Sequence, residues 1–116
     1  MQTYTGRCHC GQVRYEAKAD LSSVIECNCS HCSAKGLLLT FVPEGDFKLV
    51  SGADALTEYQ FNKKVIHHQF CKQCGVEPFA QARGPDGKPT VALNVRCLDG
   101  VDVATLTRKP FDGKSL

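Results

Sequence analysis

The sequence predicts a mainly β fold of small antiparallel sheets organised around metal, with one or two short helices. Two observations carry that expectation. Short alternating or apolar runs rich in Val, Ile, Phe, Tyr and Thr recur between turn signals along the whole chain. In addition, seven of the eight cysteines fall into three tight clusters, Cys8-x-Cys10, Cys27-x-Cys29-x-x-Cys32 and Cys71-x-x-Cys74-Gly75. Cysteine at this density, with no secretion signal ahead of it, points to metal ligation in a reducing compartment rather than to a disulfide scaffold.

Along the chain, the amino end Met1-Gln2-Thr3-Tyr4-Thr5-Gly6-Arg7 has no apolar stretch and no cleavage-site pattern, so it reads as no leader peptide. In Cys8-His9-Cys10-Gly11 the two thiols stand at i and i+2 of an extended segment, on the same side, where they can pinch one ion. Strands are expected over 12–18 and 23–27. Between Ser30 and Gly36 a capping residue and a terminal glycine frame one or two helical turns, with Ser30 as the expected cap. Further strands are expected over 37–42, 47–51, 57–62 and 65–70.

Cys71-Lys72-Gln73-Cys74-Gly75 follows as a zinc knuckle, two thiols on a tight turn with a glycine free to adopt positive φ. A thioredoxin-like reading of that C-x-x-C needs a helix, which Val76-Glu77-Pro78 opposes. The runs 77–82 and 90–95 flank Arg83-Gly84-Pro85-Asp86-Gly87-Lys88-Pro89, a dense set of turn formers that makes them a hairpin. A second short helix is expected around 101–108.

At 116 residues the chain is expected to be one domain, 1–116, with a modest core that a metal clip would reinforce. Its net charge of +2 comes from 14 basic and 12 acidic residues, with no basic run longer than Lys63-Lys64, which argues against nucleic acid as a partner. No run is long and apolar enough to span a membrane, and the expected location is cytoplasmic. Exposed strand edges in so small a β domain would allow a homodimer.

The ligand count divides the cysteines into unequal sets. Cys8, Cys10, Cys71 and Cys74 make a closed four-thiolate site that is structural, whereas Cys27, Cys29 and Cys32 leave one position of a zinc open, the arrangement of a metal that does chemistry. Two zinc ions per chain are therefore expected. A closed alternative for the second site uses Cys97, His9, His31, His67 or His68 as fourth ligand. Strand alternation sends His67 and His68 to opposite faces, where solvated or hydrogen-bonded roles suit them, and Cys97 equally reads as a small buried hydrophobe.

The pattern Gly6-x-Cys8-x-Cys10-Gly11-x-Val13, Cys27-x-Cys29-Ser30-x-Cys32 and Phe70-Cys71-x-x-Cys74-Gly75 resembles the glutathione-dependent formaldehyde-activating (GFA) family, also called the centromere protein V domain. Phe47-x-Leu49-x-Ser51-Gly52 followed by Leu56-x-x-Tyr59-x-Phe61 extends the likeness over nearly the full chain. The resemblance implies an Mss4-like fold, structural zinc on Cys8, Cys10, Cys71 and Cys74, and catalytic zinc on Cys27, Cys29 and Cys32. It implies a carbon–sulfur lyase that condenses glutathione with formaldehyde, so a small thiol and a small aldehyde are the expected partners. His31 is the nearest proton donor by sequence. Lys35, Lys63, Lys64 and Arg96 are the cations considered for the glutathione carboxylates, with Lys35 taken first. A non-enzymatic, zinc-stabilised binding module of the Mss4-like class is the alternative function, and a metal-free thiol redox protein is a third.

Overall fold

The computed structural model describes residues 2–60 and 66–115, which form two sheets around a main hydrophobic core and a smaller cluster. Strands β1 (Gln2–Arg7), β2 (Arg14–Ala19) and β5 (Phe47–Ser51) make a three-stranded antiparallel sheet in the order β1-β2-β5. The seven-stranded sheet runs β10 (Arg108–Phe111), β3 (Val24–Cys27), β4 (Leu39–Pro43), β9 (Pro89–Asn94), β8 (Phe79–Arg83), β7 (His67–Cys71) and β6 (Leu56–Tyr59). Its pairs are antiparallel except β10 with β3, which is parallel.

Local sequence explains most of this. In β2 the alternation Arg14-Tyr15-Glu16-Ala17-Lys18-Ala19 sends Tyr15, Ala17 and Ala19 inward and the charges outward. The turn 83–89 closes the β8–β9 hairpin, with Gly84 N–H donating to Lys88 O at 2.9 Å and Gly87 N–H to Gly84 O at 2.9 Å. The expected strands 57–62 and 65–70 reach into residues 61–65, outside the described residues, as do Phe61, Lys63 and Lys64. Over the described part they appear as β6 and β7.

Three expectations need correction. β1 and β10 pair as strands although the sequence marks neither, because β1 buries only Gly6 and β10 is a largely exposed edge carrying Pro110. Helix α1 (Ser30–Lys35) is capped by Cys29 rather than Ser30, the Cys29 sulfur accepting from Cys32 N–H, and it ends at Gly36 in the left-handed region. The second expected helix shrinks to a single 3₁₀ turn, Val103–Thr105, held by Asp102, whose carboxylate accepts from Ala104 N–H.

The sheets meet through aromatic rings. Tyr15 lies 5.1 Å from Phe47 and 5.8 Å from Phe79, which are themselves 4.7 Å apart between centroids. The buried Tyr15 hydroxyl donates to Pro78 O at 3.2 Å, linking β2 to the segment ahead of β8. Gly6 in β1 is the surface this ring rests on, since a Cβ there would overlap it.

Gly6→Ala is therefore expected to destabilise the fold by ~1–3 kcal/mol through overpacking, read as a lower denaturant midpoint. Tyr15→Phe should cost only about 1 kcal/mol, because Pro78 O also accepts from Asn94 N–H and stays satisfied.

Candidate metal centres and the adjoining cavity

Two turns built alike bring the first four thiols together. Cys8 N–H donates to Val13 O at 3.1 Å and Cys71 N–H to Val76 O at 3.0 Å, five residues on in each case, so each turn folds back over its own cysteine pair. Gly11 and Gly75 follow the second thiol at φ 82° and 80°, a conformation that favours glycine. The sulfurs of Cys8, Cys10, Cys71 and Cys74 all lie within 4.8 Å of one another. Cys8–Cys10 and Cys10–Cys71 are 3.6 Å apart, close to the ~3.8 Å separation of sulfurs around a tetrahedral zinc at about 2.3 Å.

Charge makes the same point. Burial opposes ionisation of Cys74, yet backbone N–H groups of Cys10 and Val76 and the thiols of Cys71 and Cys8 donate to it and bring it down to about 6. One thiolate is thus favoured, but four at this spacing would repel strongly unless a cation sat among them.

The second set gathers at the end of β3 and the start of α1. Cys27, Cys29 and Cys32 place their sulfurs within 4.8 Å of one another, and among the described residues no other Cys, His, Asp or Glu joins all three at that distance. Cys29 N–H points at Cys27 Sγ at 3.5 Å and Cys32 N–H at Cys29 Sγ at 3.3 Å. Burial opposes the Cys29 thiolate, but the Cys32 N–H, the Cys32 and Cys27 thiols and the His31 N–H lower its pKa, while burial and the Cys29 and Cys27 sulfurs push Cys32 up. Three thiols of this kind fit a single divalent ion of thiolate preference.

A wall for this set comes from the far end of the sequence. Asn28 N–H donates to Phe111 O at 3.0 Å and Asn28 Nδ2 to Asp112 Oδ1 at 3.0 Å, carrying Gly113 against the thiols. A Cβ at Gly113 would collide with Cys27 Sγ and stand 3.3 Å from Cys29 Cβ.

The other face of α1 bears a different group. Buried Glu77 receives Lys35 Nζ on Oε1 at 2.9 Å and His68 Nδ1 on Oε2 at 2.8 Å, with His31 Nε2 at 3.5 Å from Oε1. Burial works against the Glu77 carboxylate, but the bonds from His68 and Lys35 prevail and hold its pKa below the ordinary value. The His31 ring lies 3.9 Å from that of His68 and stacks on Tyr59 at 5.6 Å. Burial first, then the charges of His68 and Lys35, push its pKa down. An open cavity of about 520 Å³ fronts this group, lined by Ser30, His31, Ala34, Lys35, Tyr59 and Phe70 among others.

Of the residues expected in the site, His31 and Lys35 thus belong to the Glu77 group. His67 is exposed and bonds Glu58 at 2.9 Å, while His68 turns inward to Glu77, one to each face. His9 is exposed. Cys97 donates to Glu77 O at 3.8 Å, and burial followed by the charges of Cys8, Cys74 and Glu77 pushes it up to about 12, which puts it on the side of the first thiol set. Arg96 is exposed and donates through Nε to Gly36 O at 2.9 Å. Sequence reasoning missed Glu77 as a site residue. Its signal was a carboxylate set in the otherwise apolar run Val76-Glu77-Pro78-Phe79-Ala80.

A family model described as glutathione-dependent formaldehyde-activating enzyme matches residues 3–110. The crystal structure of a Rhodobacter sphaeroides protein superposes with a TM-score of 0.81 at 30% identity, covering 91% of this chain and 97% of that one.

Stripping metal with a strong chelator is expected to lower the melting temperature and change the circular dichroism, since the first thiol set would then lose its clip. Gly113→Ala should release the ion of the Cys27 set at a lower chelator concentration and leave the first set filled. Cys97→Ser should retain two zinc equivalents per chain by elemental analysis.

Proposed function

The chain belongs to the glutathione-dependent formaldehyde-activating enzyme family, and on that premise we propose that it is a zinc-dependent enzyme of the carbon–sulfur lyase class, joining glutathione to formaldehyde as S-(hydroxymethyl)glutathione. The observation that supports this reading is the second thiol set, with three sulfurs gathered and no fourth protein ligand beside them among the described residues. A purely structural zinc takes four protein ligands. Bound by Cys27, Cys29 and Cys32, zinc would supply a coordination position at which a thiol gives up its proton near neutral pH.

The chain's own residues supply position and surroundings. Cys32 is buried against Leu37, Leu39, Ala80 and Ala92, an apolar wall that keeps water from one side of the sulfurs. Gly113 leaves room beside Cys27 that any side chain would fill. In the reaction the thiol proton leaves sulfur, the carbon–sulfur bond forms at the carbonyl carbon, and the C=O pair moves to oxygen, which takes up a proton. No oxidant or reductant is required. We assign that proton to solvent rather than to His31, whose ring is occupied between His68 and Tyr59.

Lys35 is engaged by buried Glu77. Arg96, anchored at Gly36 where α1 ends, is the cation we assign to a glutathione carboxylate. Free thiols at all eight cysteines suit a reducing cytoplasm. Among the described residues no helix is long and apolar enough to cross a membrane.

With cobalt in place of zinc, the sulfur-to-metal charge-transfer bands of the second set are expected to shift on adding glutathione, and Cys32→Ser should abolish that response together with hydroxymethyl product formation followed by carbon NMR. Bands indifferent to glutathione and to every small thiol would instead favour a non-enzymatic binding module.

A further inference from the structure

We propose that His31, His68 and Glu77 form a third metal site, sulfur-free and distinct from both thiol sets, for a divalent ion such as zinc or cobalt. One ligand atom from each of the three residues lies within 4.8 Å of the others. All three side chains are nearly enclosed, at 9%, 5% and 2% exposure. Two imidazoles and a carboxylate are a zinc donor set that leaves a fourth position for water or a ligand.

The spacing favours shared coordination. His31 Nε2 and Glu77 Oε1 stand 3.5 Å apart. That is longer than the ~2.7–3.2 Å of an N–H···O bond, and near the ~3.3 Å between two ligand atoms each at about 2.0–2.1 Å from one tetrahedral ion. His68 contributes Nδ1, 2.8 Å from Glu77 Oε2, so an ion seated among the three takes the place of the proton this pair shares. The carboxylate has little freedom to move away, because Asn94 Nδ2 donates to the Glu77 carbonyl at 2.9 Å and fixes its backbone.

The site also has a competitor and an approach. Lys35 Nζ occupies the same Oε1 at 2.9 Å, so an arriving ion must displace it. The lysine can yield, being 31% exposed, with its ammonium over the Phe70 ring at 4.8 Å from the centroid. An ammonium withdrawing into solvent leaves the carboxylate to the ion, one cation replacing another. The approach is the cavity that His31 and Lys35 line with Tyr59 and Phe70, which gives the fourth position room for water or a small ligand. Residues 31 and 35 share one face of α1, while Cys32 on the helix and Cys29 at its cap meet on another, so this ion and that of the Cys27 set would sit on different sides of one short helix.

The test is a cobalt titration of reduced protein whose thiol sets are already filled with zinc. We expect one further equivalent with weak visible absorption and no sulfur-to-cobalt charge-transfer band. His31→Ala, His68→Ala and Glu77→Gln should each lose it while keeping both thiol-bound zincs, and His67→Ala should retain it. Lys35→Met, which removes only the competitor, should bind it roughly tenfold more tightly. The proposal is overturned if no further equivalent binds, if the added cobalt shows thiolate bands, or if the equivalent persists in His31→Ala or vanishes in His67→Ala. Should the buried variants fail to fold, unchanged affinity in Lys35→Met overturns it equally.

Discussion

Four thiols crowded at the meeting of two turns set the terms for the rest of this molecule. Cys10 and Cys71 are 61 positions apart in sequence yet 3.6 Å apart in space, and Cys8 and Cys71 belong to the same buried core as Tyr15, Phe79 and Leu93. An ion held by all four would fix the turn after β1 against the turn after β7, and the two sheets with them. So small a core gains from such a constraint, because fixing two distant points removes loop-closure freedom from the unfolded chain. The aromatic contact of Tyr15, Phe47 and Phe79 then fills the space that the thiol junction defines.

Much of this was legible because the decisive signals are local. Cys8-x-Cys10-Gly11 and Cys71-x-x-Cys74-Gly75 each declare a turn through residue type and spacing, and β5 begins and ends at the expected residues. The illegible parts depend on partners that local pattern does not encode. β1 is a strand because β2 offers it a register, not because Gln2-Thr3-Tyr4-Thr5 alternates in hydrophobicity. β10 is held by parallel pairing to β3, with Lys109 opposite Ile25 and Phe111 opposite Cys27, from 84 positions away in each pair by number. Cys29 displaced Ser30 as helix cap because its sulfur faces Cys32 N–H, a geometry set by the thiol cluster.

The Glu77 group illustrates the same limit at the level of chemistry. His31 comes from α1, His68 from β7 and Glu77 from the segment before β8, so no window of sequence contains the set. A charged side chain that is buried must be compensated, and Glu77 finds its compensation in two elements at once, α1 through Lys35 and β7 through His68. That demand also explains why Lys35, read from sequence as a candidate for glutathione, faces inward to a carboxylate. Helix α1, six residues long, thus separates thiol chemistry from imidazole and carboxylate chemistry by rotation about its axis alone.

The placement of Gly113 against Cys27 ties the Cys27, Cys29 and Cys32 set to a stretch of chain more than 80 positions away. Asn28 holds Phe111 through its backbone N–H and Asp112 through its side-chain amide, so the wall beside these sulfurs lasts only while β10 stays on β3. Exposed edges near a chain end are among the first elements of a fold to open. Fraying of β10 would therefore loosen the surroundings of three thiols while the buried core, to which β10 contributes nothing, stays intact.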